Sequence, residues 1–446
     1  MQKASSVVMR KSFKSCTTHL LKTSLISTAG SSAHQLGKRF YATSCISTPN
    51  KPCYPGAVNA TFTHNLEFRS SLNPDGTPFP IFSIMSNDGE IVNEKAFKEI
   101  DYTPEQVVDL YKTMIRLETM DDILYNAQRQ GRVSFYMTNY GEEALQVGSA
   151  SALSPDDMIF AQYREAGVLM HRGFTLSEFL NQCFSTIEDY GKGRQMPVHY
   201  GSKKLNFQTI SSPLGTQIPQ AAGAGYVYRI QNSPQVCACY FGEGAASEGD
   251  FHAALNFAST LSCQTLFICR NNGFAISTPT RDQYHGDGIV ARGIGYGMPS
   301  IRVDGNDLFA VYYATKQARQ LSIESKGPVL VEFMTYRAGH HSTSDDASRY
   351  RSNEELMYWR NEQNPIIRVR KYLEKKQLWN DELEKTERDT NRKTVLSLLA
   401  KVEHAEKPHL DELVKDVFDS VPPILQQQRE WTENIVKKYP EVFEGH

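Results

Sequence analysis

The chain has 446 residues, with 48 Lys and Arg against 50 Asp and Glu, for a formal net charge of −2. That length suits one large domain or two ordinary ones, and the near-neutral balance offers no basic surface for nucleic acid. No apolar run is long enough to span a membrane, and the eight cysteines are scattered, with no Cys-x-x-Cys pair for a metal or redox couple.

Residues 1–41 carry Lys3, Arg10, Lys11, Lys14, Lys22, Lys38 and Arg39, many Ser and Thr, and no acid; the first acidic residue is Glu67. A basic, hydroxyl-rich, acid-free start reads as a transit peptide, which sends the rest to the mitochondrial matrix; a disordered basic tail has the same composition. Residues 42–100 are rich in Pro, Asn and Ser, with turn signals at Asn73-Pro74-Asp75-Gly76 and Asn87-Asp88-Gly89. They predict an extended arm that wraps a partner or the domain surface.

Residues 101–350 read as an α/β domain. Thr103 caps a long helix with Pro104 at its first position and Glu105 in its first turn. Val107, Val108, Leu110, Tyr111, Met114, Ile115 and Leu117 follow helical spacing. Asn139-Tyr140-Gly141-Glu142-Glu143 opens another helix. An apolar strand at 158–161 runs into Gln162-Tyr163-Arg164-Glu165. Tyr and Arg at a strand's carboxyl end are placed to meet an aromatic ring or a phosphate, and equally read as a surface Tyr and a salt-bridged Arg. Ser211, Ser212, Pro213, Leu214, Thr216 and Gln217 lead into Ala221-Ala222-Gly223-Ala224-Gly225. The oxygens suit a monovalent cation, a cofactor or a plain helix cap; the small residues allow close helix packing.

The middle of the chain carries the sharpest signal. A strand at 236–241 ends in Gly242-Glu243-Gly244, and a helix follows at 251–261. Glycines let backbone amides approach a phosphate, and a carboxylate between them can hold a divalent cation on a diphosphate. Alone, such a turn is an ordinary strand-helix connection. A second strand at 265–269 runs into Arg270-Asn271-Asn272-Gly273. The spacer fits one helix and a return strand, so both ligand groups land on one carboxyl edge of a parallel sheet. Residues 276–300 are Gly-rich without a clear period. Asn306 is expected to cap a helix over 307–323. A strand at 329–336 leads to Arg337-Ala338-Gly339-His340-His341-Ser342-Thr343-Ser344-Asp345-Asp346. Residues 351–446 read as a charged helical region broken by Pro365, Pro408, Pro422, Pro423 and Pro440.

The paired Gly-Glu-Gly and Asn-Asn resembles the thiamin diphosphate motif. Together with 135–143, 162–167, 191–197, 242–250 and 339–346, the chain resembles the alpha subunits of mitochondrial 2-oxo acid dehydrogenases over roughly residues 100–440. Glu243 and His340-His341 favour the branched-chain branch; a pyruvate or acetoin relative would share the chemistry. The resemblance implies a thiamin diphosphate-binding α/β fold, a mostly parallel sheet flanked by helices. It implies oxidative decarboxylation of branched 2-oxo acids and acyl transfer to the lipoyl group of a partner acyltransferase. It implies Mg²⁺ on Glu243, Asn272 and the carbonyl of Phe274, where the family usually has Tyr. Tyr163, Arg164, Arg270 and His341 would contact the diphosphate, and Ser212, Leu214, Gly244 and Ala245 would line the cofactor site. Ser211, Pro213, Thr216 and Gln217 would bind K⁺. Gln162 and Tyr163 would lie near substrate, and His341 would serve the acyl transfer. Ser342 and Ser352 match positions phosphorylated by a dedicated kinase and reset by a phosphatase. The chain has room for one cofactor-binding domain, and the family's activating glutamate sits on a separate beta subunit. The expected assembly is an α₂β₂ heterotetramer with cofactors between subunits.

Overall fold

Two runs of buried residues at the middle of the molecule send their side chains alternately into two cores. In Cys237–Gly242, Ala238 and Tyr240 enter one cluster while Cys237, Cys239 and Phe241 enter another. In Thr265–Asn271, Leu266 and Ile268 face the first and Phe267 and Cys269 the second. A strand buried on both faces has no polar alternation to read, because helices cover both sides of the sheet. The computed structural model describes residues 53–72 and 76–443. The basic stretch 1–41 lies outside the described residues.

Nine strands occur among them: β1 (Phe62–Thr63), β2 (Ile81–Phe82), β3 (Met158–Phe160), β4 (Cys237–Gly242), β5 (Thr265–Asn271), β6 (Phe274–Ala275), β7 (Thr278–Pro279), β8 (Ser300–Asp304) and β9 (Val329–Met334). Seven form one sheet in the order β1-β2-β8-β9-β5-β4-β3, and every pairing in it is parallel. β6 and β7 make a small antiparallel hairpin. One core holds the helices Pro104–Arg129, Glu143–Ser151, Leu308–Ser325 and Pro365–Lys375. The other holds Gln217–Ile230 and Gly249–Thr260, where Gly225 leaves room for Thr265 at the edge of β5.

The stretch 53–100, read from sequence as an arm, contributes β1 and β2 to one edge of the sheet and a helical turn at Glu94–Phe97. Hydrogen bonds to buried carboxylates tie it down. Asp307 Oδ2 accepts from the backbone N–H of Ile84 (2.7 Å) and Met85 (2.6 Å). Tyr54 donates to Asp304 Oδ1 at 2.5 Å, and Arg368 pairs with Asp304 Oδ2 at 2.8 Å.

Of two capping residues read from sequence, one holds and one moves by a single position. Thr103 caps the helix Pro104–Arg129 as expected, in a capping box closed by Gln106. The cap of Leu308–Ser325, however, is Asp307 and not Asn306. Asp307 Oδ1 accepts from Phe309 and Ala310 N–H at 3.1 Å each. Asn306 instead bridges outward, accepting from Thr335 Oγ1 (3.0 Å) and donating to the carbonyl of Gln363 (2.8 Å). Either residue type caps well, so only the tertiary partners decide.

Candidate functional site

Four neighbouring parallel strands, β3, β4, β5 and β9, end on one edge. Gly242 lies level with Arg270, and Arg270 with Phe333. Their continuations, Gln162–Glu165, Glu243–Ala245, Asn272–Phe274 and Thr335–Arg337, therefore converge where open α/β sheets bind ligands. They enclose a cavity of about 180 Å³ lined by Gln162, Tyr163, Arg164, Glu243, Arg270 and His341 among others. Leu214, Gly244, Ala245, Asn272 and Phe274 also line it, so most of the residues singled out in the sequence meet in one place.

Between β4 and the expected helix, a 3₁₀ turn, Ala245–Ser247, and an extended Glu248 precede Gly249–Thr260. Gly244 sits so close to Ala275 that a Cβ there would lie 2.9 Å from that methyl. Backbone, not side chain, faces the cavity at this point.

Glu243 is buried, and the two oxygens of its carboxylate differ. Oε2 accepts from the N–H of Asn272 at 3.3 Å; Oε1 has no partner. Burial pushes its pKa up to about 7, against the pull of Arg270 and with a further push from Glu142. An unpartnered buried carboxylate oxygen is costly and needs a cation or donor.

Arg270 is buried between two glutamates. Its Nη1 donates to Glu142 Oε2 at 2.8 Å and its Nε to Glu165 Oε1. Burial lowers its pKa, but Glu165 and then Glu142 outweigh that, and the net shift is upward. Arg164 is held by carbonyls: Nη2 donates to His341 O at 2.8 Å and Nη1 to Thr138 O. Its pKa is lowered, first by burial. His341 meets the Tyr163 ring edge-on at 5.9 Å, and its Nδ1 is buried without a partner. Burial, then Arg164 and Arg337, depress its pKa to about 3, so the ring is neutral at physiological pH. Gln162 Oε1 accepts from the N–H of Gly242 at 3.0 Å.

Other residues fall elsewhere. Ser212 does not line the cavity; it is exposed, and its Oγ lies 2.7 Å from His199 Nε2. His199 Nδ1 lies 3.0 Å from the carbonyl of Pro197, so that nitrogen carries the proton and Nε2 accepts from the serine. Near Leu214, Thr216 Oγ1 lies 3.1 Å from Ser211 Oγ and 3.2 Å from Pro213 O, which makes a small cluster of neutral oxygens. The Gln217 amide turns inward and donates to Tyr240 O at 3.1 Å. In the 339–346 loop, Asp345 Oδ2 accepts from His341 N–H (2.7 Å) and Tyr350 hydroxyl (2.5 Å). Ser342 Oγ accepts from the N–H of Ser344 at 3.3 Å. Ser352 caps the helix Asn353–Asn361, accepting from Glu355 N–H at 3.1 Å.

Sequence reasoning did not assign Glu142, Glu165 or Arg337. Glu142 and Glu165 look like ordinary acids at helix starts, where the dipole favours them; their burial against Arg270 is a tertiary fact. Arg337 lines the cavity and donates to the carbonyls of Phe274 (3.0 Å) and Ile276 (2.6 Å). The Phe274 carbonyl thus keeps one lone pair. Among the described residues no three His, Cys, Asp or Glu side chains converge as a metal cage. The cavity instead offers one free carboxylate oxygen, an amide and a carbonyl, a hard and incomplete donor set.

A family model described as "Dehydrogenase E1 component" matches residues 111–411. The chain is 53% identical over 398 residues to the mitochondrial 2-oxoisovalerate dehydrogenase subunit alpha of Homo sapiens, covering 89% of this chain and 88% of that one. It is 52% identical over 387 residues to the protein of the same description from Dictyostelium discoideum, covering 86% of each. The Caenorhabditis elegans counterpart is 49% identical over 392 residues, covering 87% of this chain and 90% of its own.

Proposed function

The chain belongs to the dehydrogenase E1 component family, and we propose that it acts as the alpha subunit of a mitochondrial branched-chain 2-oxo acid dehydrogenase. It works with a beta subunit and with an acyltransferase that receives the acyl group. The observation that carries this reading is the cavity edge itself, where Glu243, Asn272, Arg270 and His341 converge. Bound thiamin diphosphate supplies the carbanion chemistry by which CO₂ leaves a 2-oxo acid and the acyl group passes to a lipoyl arm.

The residues fit such a cofactor. The free Oε1 of Glu243 wants a cation, and Mg²⁺ characteristically takes one or two carboxylates plus phosphate oxygens. Glu243, Asn272 and the Phe274 carbonyl would hold the Mg²⁺. Gly244 and Ala245 would present backbone to the diphosphate, and Arg270, Arg164, Tyr163 and His341 would face its charge. A neutral His341 accepts or donates a hydrogen bond without adding a cation. Gln162 and Tyr163 would sit beside the substrate. The oxygens of Ser211, Pro213 and Thr216 suit a K⁺; the inward-turned amide of Gln217 offers it only its oxygen. At about 180 Å³ the cavity is smaller than the roughly 300 Å³ at which whole-ligand pockets begin. That size leaves the rest of the cofactor to a second chain, which would be the beta subunit; the assembly we propose is an α₂β₂ heterotetramer in the mitochondrial matrix.

Regulation by a kinase and phosphatase would act through Ser342. A phosphate there brings about −1.5 to −2 charges beside the Asp345 contacts that fold the loop. At Ser352 the same charge would sit at a helix N-terminus, where it stabilises. Ser342→Glu is therefore expected to inactivate the complex and Ser352→Glu to leave it active. Full activity of Ser342→Glu would sink this reading of the loop.

The functional test co-expresses residues 42–446 with the beta subunit and measures CO₂ release from 3-methyl-2-oxobutanoate, 4-methyl-2-oxopentanoate and pyruvate, with and without thiamin diphosphate and Mg²⁺. Cofactor-dependent turnover of the branched acids well above pyruvate is expected. Preference for pyruvate would keep the chemistry and change the substrate.

A further inference from the structure

We propose that Glu142 is a positioning residue that decides which end of the Asn272 amide faces the metal. The inference rests on the reading of Asn272 as a Mg²⁺ ligand. Asn272 has one donor end and one acceptor end, and only the oxygen can bind a cation. Within the turn a single bond, from Phe274 N–H at 3.2 Å, holds the amide oxygen, and Glu142 fixes the nitrogen end more tightly. Its side chain is fully buried, and Oε1 accepts from Asn272 Nδ2 at 2.8 Å while Oε2 accepts from Arg270 Nη1 at 2.8 Å. A carboxylate has no proton to give, so the nitrogen of Asn272 must point at Glu142. Oδ1 is turned the other way, where it meets only the N–H of Phe274 at 3.2 Å. That leaves Oδ1 a lone pair for a cation.

The backbone explains how Glu142 reaches this place. It occupies the N-cap position of Glu143–Ser151 but makes no capping bond with its side chain. Gly141, at φ +86°, turns the chain so closely under β9 that a Cβ there would lie 2.2 Å from Tyr336 O. The helix start is thereby pressed against the carboxyl ends of β5 and β9, and the side chain spends its acceptors on the site instead of on its own helix. One carboxylate thus orients the amide and balances the charge of Arg270, with Arg164 Nε a further 4.0 Å from Oε1.

The isosteric change Glu142→Gln tests this sharply. A glutamine has one acceptor for two donors. The guanidinium takes the oxygen, because its charge makes the stronger bond. The new Nε2 then faces Asn272, whose oxygen turns to meet it and whose nitrogen turns toward the metal position. Mg²⁺ affinity should fall by about 10- to 100-fold, the usual cost of losing a group that orients a ligand. Glu142→Asp keeps both acceptors and should fall much less.

The experiment uses the complex with the beta subunit. Binding of thiamin diphosphate is followed by equilibrium dialysis as Mg²⁺ is titrated, so activity is not the readout. The expected result is a rise in half-saturating Mg²⁺ of about tenfold or more for Glu142→Gln, a smaller rise for Glu142→Asp, and no further rise when Glu142→Gln is added to Asn272→Ala. An unchanged Mg²⁺ requirement in Glu142→Gln overturns the proposal. So does a shift that adds in full to that of Asn272→Ala, since the glutamate would then act through another group. If Glu142→Gln fails to assemble, Glu142→Asp carries the test, and its shift must likewise vanish in the Asn272→Ala background. If Asn272→Ala itself leaves the Mg²⁺ requirement unchanged, the ligand assignment falls and this inference falls with it.

Discussion

Single side chains hold most of the chemistry, and two of them have testable signs. Glu243 is buried with one oxygen unpartnered and a pKa raised to about 7. Glu243→Gln should therefore leave the cofactor-free protein as stable as before, or more so, because it removes an uncompensated charge. The stabilisation given by cofactor with Mg²⁺, about 2.7 kcal/mol at a hundredfold excess over Kd, should disappear. Thermal melting with and without both ligands checks the pair of outcomes. Asp121 is a different case. It is fully buried and accepts from Tyr136 hydroxyl (2.8 Å) and from the Asn139 backbone N–H (2.5 Å), yet burial still raises its pKa to about 7. A carboxyl whose folded pKa is raised favours the fold while protonated. Its contribution is present below the ordinary value near 3.8 and is lost as pH climbs through about 7. The stability gap between wild type and Asp121→Asn should shrink from pH 5 to pH 7, by up to roughly 1.4 kcal/mol per pH unit. A gap that stays constant across that range would refute the assignment.

Turns between elements decide where those side chains point. Two glycines between the helices Pro104–Arg129 and Glu143–Ser151 both adopt left-handed backbone, Gly131 at φ +77° and Gly141 at φ +86°. A Cβ on Gly131 would meet nothing within 4 Å, whereas one on Gly141 would meet the carbonyl of Tyr336 at 2.2 Å. Gly131→Ala should cost about 1 kcal/mol, the strain of the conformation alone. Gly141→Ala must also move backbone, and should cost about 1–3 kcal/mol more and disturb cofactor binding through Glu142. Urea unfolding midpoints of the two variants make the comparison; equal midpoints would show that the close approach under β9 is not a constraint.

At the scale of the molecule, a buried ionic hub that does not line the cavity ties separate parts of the chain together. Arg368 joins three parts of the chain: it pairs with Asp304 Oδ2 (2.8 Å) at the end of β8, lies 3.5 Å from Asp307 Oδ2, and donates to Ser86 O (3.1 Å) and to the carbonyl of Met85 beyond β2. Tyr54 closes the hub on Asp304. Removing one partner leaves two buried carboxylates uncompensated, and Arg368→Ala should destabilise by about 3–5 kcal/mol. Urea unfolding measures that loss. Limited proteolysis should show the 53–100 stretch cut first, since its strands β1 and β2 are two residues long and depend on the hub. A loss below about 1 kcal/mol, with no preferential cutting, would mean that the hub is incidental.

Local chemistry was legible in the sequence wherever a residue's meaning depends on its neighbours in the chain. The capping box at Thr103, the strands around Gly242-Glu243-Gly244 and Asn271-Asn272, and the breaks at Pro365 and Pro423 all follow from spacing and backbone geometry. The parallel sheet followed too, because a strand, a helix and a second strand leave one topology open. What the sequence left undecided depends on partners far away along the chain. Asn306 and Asp307 are equally good caps, and distant Gln363 and Thr335 chose between them. Ser212 has a partner that the chain order does not announce, His199, which accepts from its hydroxyl. Glu142 and Glu165 read as acids that soothe a helix dipole until Arg270 arrives between them from more than a hundred residues away. Periodicity and capping are short-range and are written in order along the chain. Desolvation and charge pairing are set by whatever folding brings alongside, and that is decided only when the sheet closes.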